Sequence, residues 1–157
     1  MMEECSWCNL NEEDRQYLLF DSDYWFVFLA DEQDYIGRSI LVLKRHCGSL
    51  AELTENEWKE LRYLIKQLET CLKITLGADL CNWSCLMNSF FKDSVPNPHV
   101  HIHARPRYRN SLVINGNIYN DNEFGHHYAL KKKEQIKEQD RKMVYQIMAL
   151  WLNSQIK

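Results

Sequence analysis

The sequence predicts an α+β fold with a mainly antiparallel sheet of about five strands, a long helix after the third strand and an amphipathic helix at the C-terminus. Three patterns indicate this fold. Short apolar runs separated by turn residues fill the N-terminal third, a capped helical pattern follows, and a strict period of two appears near residue 100. The 157 residues contain no repeat and no linker-like stretch, so we expect one domain over residues 1–157.

The first two strands are predicted to form a hairpin. Apolar residues at 17–20 and 25–29 flank the turn cluster Asp21-Ser22-Asp23. A third strand is expected at 39–43, where the chain enters it through Gly37.

The clearest helix begins at Thr54. Thr54 and Glu57 have the spacing of a capping box, and Gly77 stands where a C-terminal cap belongs. Between them, apolar residues repeat at intervals of three and four, which predicts one buried stripe. Its members are Trp58, Leu61, Leu64, Ile65, Leu68, Cys71 and Leu72.

The elements after this helix follow from local composition. The mostly apolar run at 81–87 predicts a strand that is buried on both faces. Two prolines make 95–98 a loop, and an Asn-Gly pair predicts a small hairpin over 112–119. Apolar residues on one face of 131–152 predict a long amphipathic helix.

Composition limits the possible partners. With 19 basic and 22 acidic residues, the formal charge is -3, so no positive excess points to a nucleic-acid polymer. No apolar run approaches the roughly 20 residues of a membrane span, and the acidic start Met1–Cys5 lacks the pattern of a signal peptide. We therefore expect a cytoplasmic protein whose partner is neither a membrane nor a nucleic-acid polymer. A small nucleotide remains compatible, because its pocket needs only local positive charge.

The six cysteines divide into two groups. In a reducing compartment they are not expected to form disulfides. Cys71, Cys81 and Cys85 lie in apolar patterns, so we expect them to pack as small hydrophobic residues. Cys5 and Cys8 form a C-x-x-C pair, whose spacing suits metal binding, a redox pair or simple apolar anchoring.

The segment His99-Val100-His101-Ile102-His103 carries the most chemistry. Because strand residues alternate between faces, its three imidazoles are expected on one face and its apolar residues in the core. Three interpretations are open: a solvated strand rich in histidine, a three-histidine metal site, and nucleophilic catalysis by one imidazole supported by its neighbours. Arg105 and Arg107 follow at once, and guanidinium groups suit phosphate, which favours catalysis on a phosphate bond.

At these positions the chain resembles the histidine triad (HIT) family of nucleotide hydrolases and transferases. The family signature, histidines alternating with apolar residues, is similar to His99–Arg105, although its last position is charged here. An upstream family motif resembles Gly37–His46, and Asn88 stands between the two motifs as the family's phosphate-loop Asn does. The run Pro98–Tyr108 and the later Phe124–Tyr128 look like a bacterial branch of dinucleoside-polyphosphate-hydrolase-like proteins. The resemblance implies a HIT core at about 5–108 and a C-terminal extension at 109–157.

The resemblance also implies a mechanism. His101 would attack the α-phosphorus and form a nucleotidyl-histidine intermediate, which water, or inorganic phosphate in phosphorylase relatives, would then release. His103 would hold a backbone or phosphate contact nearby. Asn88 would donate to a phosphate oxygen whose charge grows in the transition state.

The resemblance also implies which residues bind the nucleotide. Asp31 is the match for the acidic ribose contact, with Asp34 as the alternative. Arg38 replaces a histidine of many relatives and could serve phosphate, but it cannot act as a neutral base. Pro96 replaces the family's phosphate-binding Ser, so Ser94 or Asn97 would supply that donor.

A branch of the family begins with the same Cys pair, and there it binds structural zinc. The resemblance assigns Cys5, Cys8, His46 and His99 to this site. A Cys2His2 set closes the tetrahedral shell, so the zinc would be structural. Cys47 is a rival ligand only if the strand ends early.

The leading prediction is therefore an enzyme that cleaves at the α-phosphate of a dinucleoside polyphosphate or related nucleoside phosphate. The alternatives are a zinc-stabilised nucleotide-binding interaction protein with little turnover, and a metalloenzyme that uses the three histidines. Relatives commonly form two-fold dimers, which implies a homodimer. His126 and His127 lie beyond the family core and are expected on the surface.

Overall fold

The computed structural model describes residues 5–126. Within them, residues up to Phe124 belong to one compact unit. The helix expected at 131–152 and His127, expected on the surface, lie outside the described residues, and the extent of the domain stays a prediction. The described strands and α-helix are β1 (Leu18–Asp21), β2 (Trp25–Leu29), β3 (Ser39–Leu43), α1 (Glu55–Leu76), β4 (Leu80–Ser84), β5 (His101–Arg107), β6 (Leu112–Ile114) and β7 (Asn117–Tyr119).

Five strands form one antiparallel sheet in the order β1-β2-β3-β5-β4. The last of the five strands in the chain, β5, therefore lies between β3 and β4. The long helix α1 follows the third strand. This arrangement confirms the predicted α+β class and the five-stranded sheet. A separate hairpin, β6 with β7, turns at Asn115 and Gly116, whose φ angles of 50° and 79° are those of the predicted Asn-Gly turn.

The two faces of the sheet differ. Val27, Leu41 and Ile102 are aligned across β2, β3 and β5, and they pack in the core with α1. The helix contributes buried leucines at 61, 64, 68 and 72. The neighbouring positions in the same register, Ile40 opposite His103 and Val42 opposite His101, therefore point to the other face. His101 and His103 are thus held on a strand whose alternate residues are anchored in the core.

The ends of α1 are fixed as predicted. Thr54 and Glu57 form a complete capping box, and Gly77 caps the last turn with a left-handed φ of 73°. Glu57 is buried, and its carboxylate accepts a hydrogen bond of 2.5 Å from Nε of Arg45. This bond joins the helix start to the chain that leaves β3.

Three details of the sequence-based prediction were wrong. The strand predicted at 81–87 is β4, and it is partly exposed because it lies at an edge of the sheet. Trp58 and Cys71 lie on the exposed side of α1, since the buried leucines, with Ile65 beside them, cover the core. The histidine strand begins at His101, two residues later than expected, because His99 and Val100 still belong to the incoming loop. No helix within residues 5–126 is long and apolar enough to cross a membrane.

Candidate functional site

His99, His101 and His103 are all buried, with 0%, 6% and 9% of their surface exposed. Val100, Ile102 and Ala104 between them are buried in the hydrophobic core. The predicted alternation is thus present in the structure. Buried imidazole nitrogens are usually hydrogen-bonded, and the three histidines differ in how far their nitrogens are paired.

The hydrogen bond of His101 determines which of its nitrogens can react. Nδ1 of His101 lies 2.8 Å from the backbone carbonyl oxygen of His99. A carbonyl can only accept, so Nδ1 must carry the proton and donate it. In the neutral ring the lone pair is then on Nε2, which is the state that a nucleophilic imidazole needs.

Three aromatic rings surround the imidazole of His101. Trp7 stacks on it with centroids 5.9 Å apart and planes at 26°. Phe90 and His103 contact it edge-on, at centroid distances of 5.7 and 4.8 Å. Neither Trp7 nor Phe90 was predicted from the sequence to be part of this site. The position of Trp7 between two predicted metal ligands was the one available signal.

His103 is held as a neutral ring. Burial lowers the pKa of His103 to about 4, and repulsion of its charged form by the side chains of His101, Arg105 and Arg38 acts in the same direction. Its Nδ1 is buried without a hydrogen-bond partner among residues 5–126. A buried nitrogen of this kind is available to a ligand in the same site.

The four residues assigned to a metal site come together. The ligand atoms of Cys5, Cys8, His46 and His99 all lie within 4.8 Å of one another. Nδ1 of His99 is 3.2 Å from Sγ of Cys5 and 3.6 Å from Sγ of Cys8, and Nδ1 of His46 is 3.5 Å from Sγ of Cys8. In a tetrahedral zinc site, bonds of about 2.3 Å to sulfur and about 2.1 Å to nitrogen separate these atoms by about 3.6 Å. The spacing therefore fits zinc.

The protonation of His99 also fits a metal ligand. Its Nε2 lies 2.6 Å from the carbonyl oxygen of Leu43 and must donate to it, which leaves the lone pair on Nδ1, facing the two sulfur atoms. Burial lowers the pKa of His99, so the neutral, metal-binding form is favoured. Partial burial and the adjacent Cys5 thiol raise the pKa of Cys8 to about 11, a cost that a bound cation would offset. In the described part of the chain, the grouped metal-ligand atoms include His99 but neither His101 nor His103.

The predicted nucleotide-binding residues are placed differently from one another. Asp31 lines a cavity of about 270 Å³ together with Trp7, Ala30 and Ile40, so the cavity and His101 share Trp7 as a neighbour. Asn97 lines a second hollow that includes Phe90. Asn88 and Ser94 are both exposed. Asn88 begins the short 3-10 turn Asn88–Phe91 that carries Phe90.

Arg38 is engaged by acidic side chains. Its Nη1 donates to Glu32 at 3.0 Å and to Asp34 at 2.9 Å. Asp34, the alternative ribose contact, is therefore occupied by this pair. The guanidinium of Arg38 remains close enough to His103 to influence its pKa.

The two arginines after the histidines also have protein partners. Arg105 donates to the Ser84 hydroxyl at 3.0 Å. Arg107 is buried and paired with Asp121 at 2.6 Å, which ties the end of β5 to the chain after the small hairpin. Arg107 therefore stabilises the fold.

Comparisons with known proteins agree on the fold. No family model matches the sequence, and no curated protein sequence matches it. A HIT family protein from Bacillus anthracis superposes with a TM-score of 0.64 at 15% identity, over 99% of both chains. A zinc-bound histidine triad family protein from Mycobacterium smegmatis has a TM-score of 0.55 at 14% identity, over 98% of both chains. A uridylyltransferase has a TM-score of 0.54 at 23% identity, over 67% of this chain and 33% of the other. The chain therefore has the fold of HIT proteins.

Proposed function

Because the chain has the histidine triad fold, we propose that it cleaves a nucleoside phosphate at the α-phosphorus through a nucleotidyl intermediate on His101. The hydrogen bond from Nδ1 of His101 to the His99 carbonyl carries this proposal, since it leaves a lone pair on Nε2. The substrate class is a dinucleoside polyphosphate or a related nucleoside phosphate.

The reaction proceeds in two displacements. Nε2 of His101 forms a bond to the α-phosphorus while the bond to the leaving group breaks, and the leaving group departs with the electron pair. Water then attacks the same phosphorus and loses a proton to the solvent, the phosphorus–nitrogen bond breaks with its electron pair returning to Nε2, and the nucleoside monophosphate is released. The neutral imidazole of His101 is thereby regenerated. Two steps with a good nucleophile replace one difficult displacement. Inorganic phosphate in place of water would make the enzyme a phosphorylase.

His103 supports the reaction as a neutral group. With a pKa near 4 it carries no charge at neutral pH, so its contribution is a hydrogen bond to the phosphate or the backbone. Asn88 would contribute a donor from the loop that carries Phe90, and Ser94 and Asn97 lie in the segment that follows. Such donors stabilise the charge that develops on the phosphate oxygens.

The nucleoside would occupy the cavity lined by Asp31 and Trp7. Asp31 lines this cavity and is exposed, so its carboxylate can accept hydrogen bonds from ribose hydroxyls. Trp7 adjoins both this cavity and His101. A nucleoside in this place would bring its α-phosphate toward His101.

Zinc would be held by Cys5, Cys8, His46 and His99. The sulfur–nitrogen distances and the tautomer of His99 support this assignment. Four protein ligands leave no open position, so the metal would join the N-terminal turn to the rest of the site without taking part in bond breaking.

The central test is covalent labelling of His101. The protein is mixed with a diadenosine polyphosphate, quenched in alkali and analysed by peptide mass spectrometry. We expect an adenylyl group on His101, and neither label nor turnover in His101→Ala. His126→Ala, a change of an exposed histidine outside the strand, is the control and should label normally. Absence of label and turnover in the wild-type protein would refute the enzymatic proposal.

One observation favours a second function, nucleotide binding with little turnover. Arg38 is neutralised by Glu32 and Asp34, which reduces its ability to stabilise a phosphate transition state. This alternative predicts saturable nucleotide binding by calorimetry in wild-type protein that never acquires a label.

A further inference from the structure

We infer that Trp7 is a positioning residue that couples the candidate metal site to His101. This inference rests on the proposed function for its effect on rate, but the coupling itself is a property of the structure. It assigns to the metal-binding turn an influence on the reacting imidazole.

The turn that carries Trp7 is short and poorly anchored by itself. It is the 3-10 turn Ser6–Cys8, and none of its residues is buried. Its backbone hydrogen bonds are local, from Cys8 to Cys5 and from Asn9 to Ser6. The sulfur atoms of Cys5 and Cys8 contact Nδ1 of His99, and Cys8 also contacts His46. The attachment of this turn to β5 therefore depends on the groups that form the metal site.

Trp7 extends this attachment to the reacting ring. Trp7 lies between the two cysteines in the sequence, and its ring stacks on that of His101 with the centroids 5.9 Å apart. His99 and His101 are two residues apart on the same segment, so the metal would hold one and Trp7 covers the other. Phe90 and His103 contact the remaining sides of the imidazole. Without Trp7, one face of the ring loses its neighbour, and the imidazole can turn about its side-chain bonds.

A reaction that requires Nε2 to approach phosphorus along one line is sensitive to such rotation, because small losses of alignment reduce rates strongly. Metal binding would thus act on His101 through the position of Trp7. This route differs from the hydrogen bond between His101 and the His99 carbonyl, which is made by the backbone.

The first experiment detects the coupling without any substrate. Zinc is titrated into metal-free protein while tryptophan fluorescence is recorded. We expect a change in the wild type that is lost in Trp7→Phe and retained in Trp58→Phe, a matched change of an exposed tryptophan on α1. The Trp7 signal reports on the coupling only if it depends on the stacked ring, so we expect a smaller change in His101→Ala. A response that persists unchanged in Trp7→Phe or in His101→Ala would overturn the coupling.

The second experiment measures the chemical step as a two-by-two cycle. The maximal rate of His101 labelling at saturating diadenosine polyphosphate is compared with and without zinc, in wild type and in Trp7→Ala. We expect about a tenfold loss on removing zinc from the wild type and a comparable loss in zinc-loaded Trp7→Ala. Removal of zinc from Trp7→Ala should then have little further effect, and Trp7→Phe should restore most of the rate.

The rate comparison has one outcome that overturns the inference and one control. If zinc removal slows labelling by the same factor in Trp7→Ala as in the wild type, zinc and Trp7 act independently on the rate, which would overturn the inference. Zinc stoichiometry near one in Trp7→Ala confirms that this variant keeps its metal site. If the wild type acquires no label at all, the proposed function fails, and the fluorescence arm still decides the coupling.

Discussion

At the scale of single residues, His99 has two separate tasks. Its side chain offers Nδ1 to the sulfur atoms of Cys5 and Cys8, and its backbone carbonyl accepts the proton of His101. The equivalent nitrogens of these two rings are therefore used in opposite ways: Nδ1 is the acceptor in His99 and the donor in His101. Because the two rings are different tautomers, His99 offers the lone pair of Nδ1 to the metal and His101 offers the lone pair of Nε2 to the substrate.

His103 leads to a prediction about stability against pH. Its pKa is about 4 in the folded protein and about 6.5 when unfolded, so the unfolded state binds a proton more readily between these values. The free energy of unfolding should be fully retained above pH 6.5 and fall by up to about 3 kcal/mol as the pH decreases toward 4.

Urea unfolding of wild type and His103→Asn at several pH values checks this prediction. The variant should lose less stability over the same interval. Glu57, whose pKa of about 2 reflects its bond to Arg45, loses its contribution only below about pH 4.5 and in both chains. Parallel curves for the two proteins between pH 6.5 and 4.5 would contradict the assignment.

At the scale of elements, the approach to β3 depends on Gly37. Its φ of 87° lies in the left-handed region, and a Cβ there would come within 2.8 Å of Leu72 Cδ2 and Leu76 Cδ1 on α1. Gly37→Ala should therefore incur both backbone strain and a clash, about 2–4 kcal/mol in all.

Gly77 is the matched control for this change. It has a similar φ of 73° but nothing within 4 Å of a new Cβ, so Gly77→Ala should lose only about 1 kcal/mol. Thermal or chemical unfolding of both variants compares the two losses. Equal losses would show that the contact of the loop with α1 adds nothing.

Local sequence signals predicted where helices and turns occur better than they predicted how each element is placed and buried in the fold. The capping box at Thr54 and the Asn-Gly turn at Asn115 each depend on a few neighbouring residues, and both are present. The edge position of β4 depends on the insertion of β5 beside β3, which periodicity does not report. For the same reason, an apolar run was interpreted as fully buried when one of its sides is open.

The site divides in a similar way. The alternation around His101 and the C-x-x-C spacing are local patterns, so the sequence could indicate a histidine face and a thiol pair. The stacking of Trp7 on His101 and the pairing of Arg38 with Glu32 are tertiary or loop contacts without a sequence period. Such contacts required the structure.

At the scale of the whole molecule, the candidate zinc site joins three distant parts of the chain. Cys5 and Cys8 lie near the N-terminus, His46 follows β3, and His99 precedes β5. Binding to the folded state alone stabilises a protein by mass action, so zinc should raise the melting temperature by about 10 °C.

Chelation and cysteine variants test this stabilisation. Treatment with a strong chelator should lower the melting temperature and release one zinc per chain, and Cys8→Ser should retain neither metal nor the shift. Cys71→Ser, a change of an exposed cysteine on α1, should behave like the wild type. Metal that survives Cys8→Ser would place the ion elsewhere.

The order of strands in the sheet has a consequence for biosynthesis. Strand β5 is the last of the five to leave the ribosome, yet β3 and β4 both pair with it. Until about residue 107 has emerged, the nascent chain cannot close its sheet, and contacts between distant positions make such closure slow. The metal ligands are synthesised over the same interval, since Cys5 is the first of the four and His99 the last, directly before β5. A ribosome that stops before that strand would therefore release a chain with an open core and an incomplete metal site, which is a substrate for chaperones and proteases.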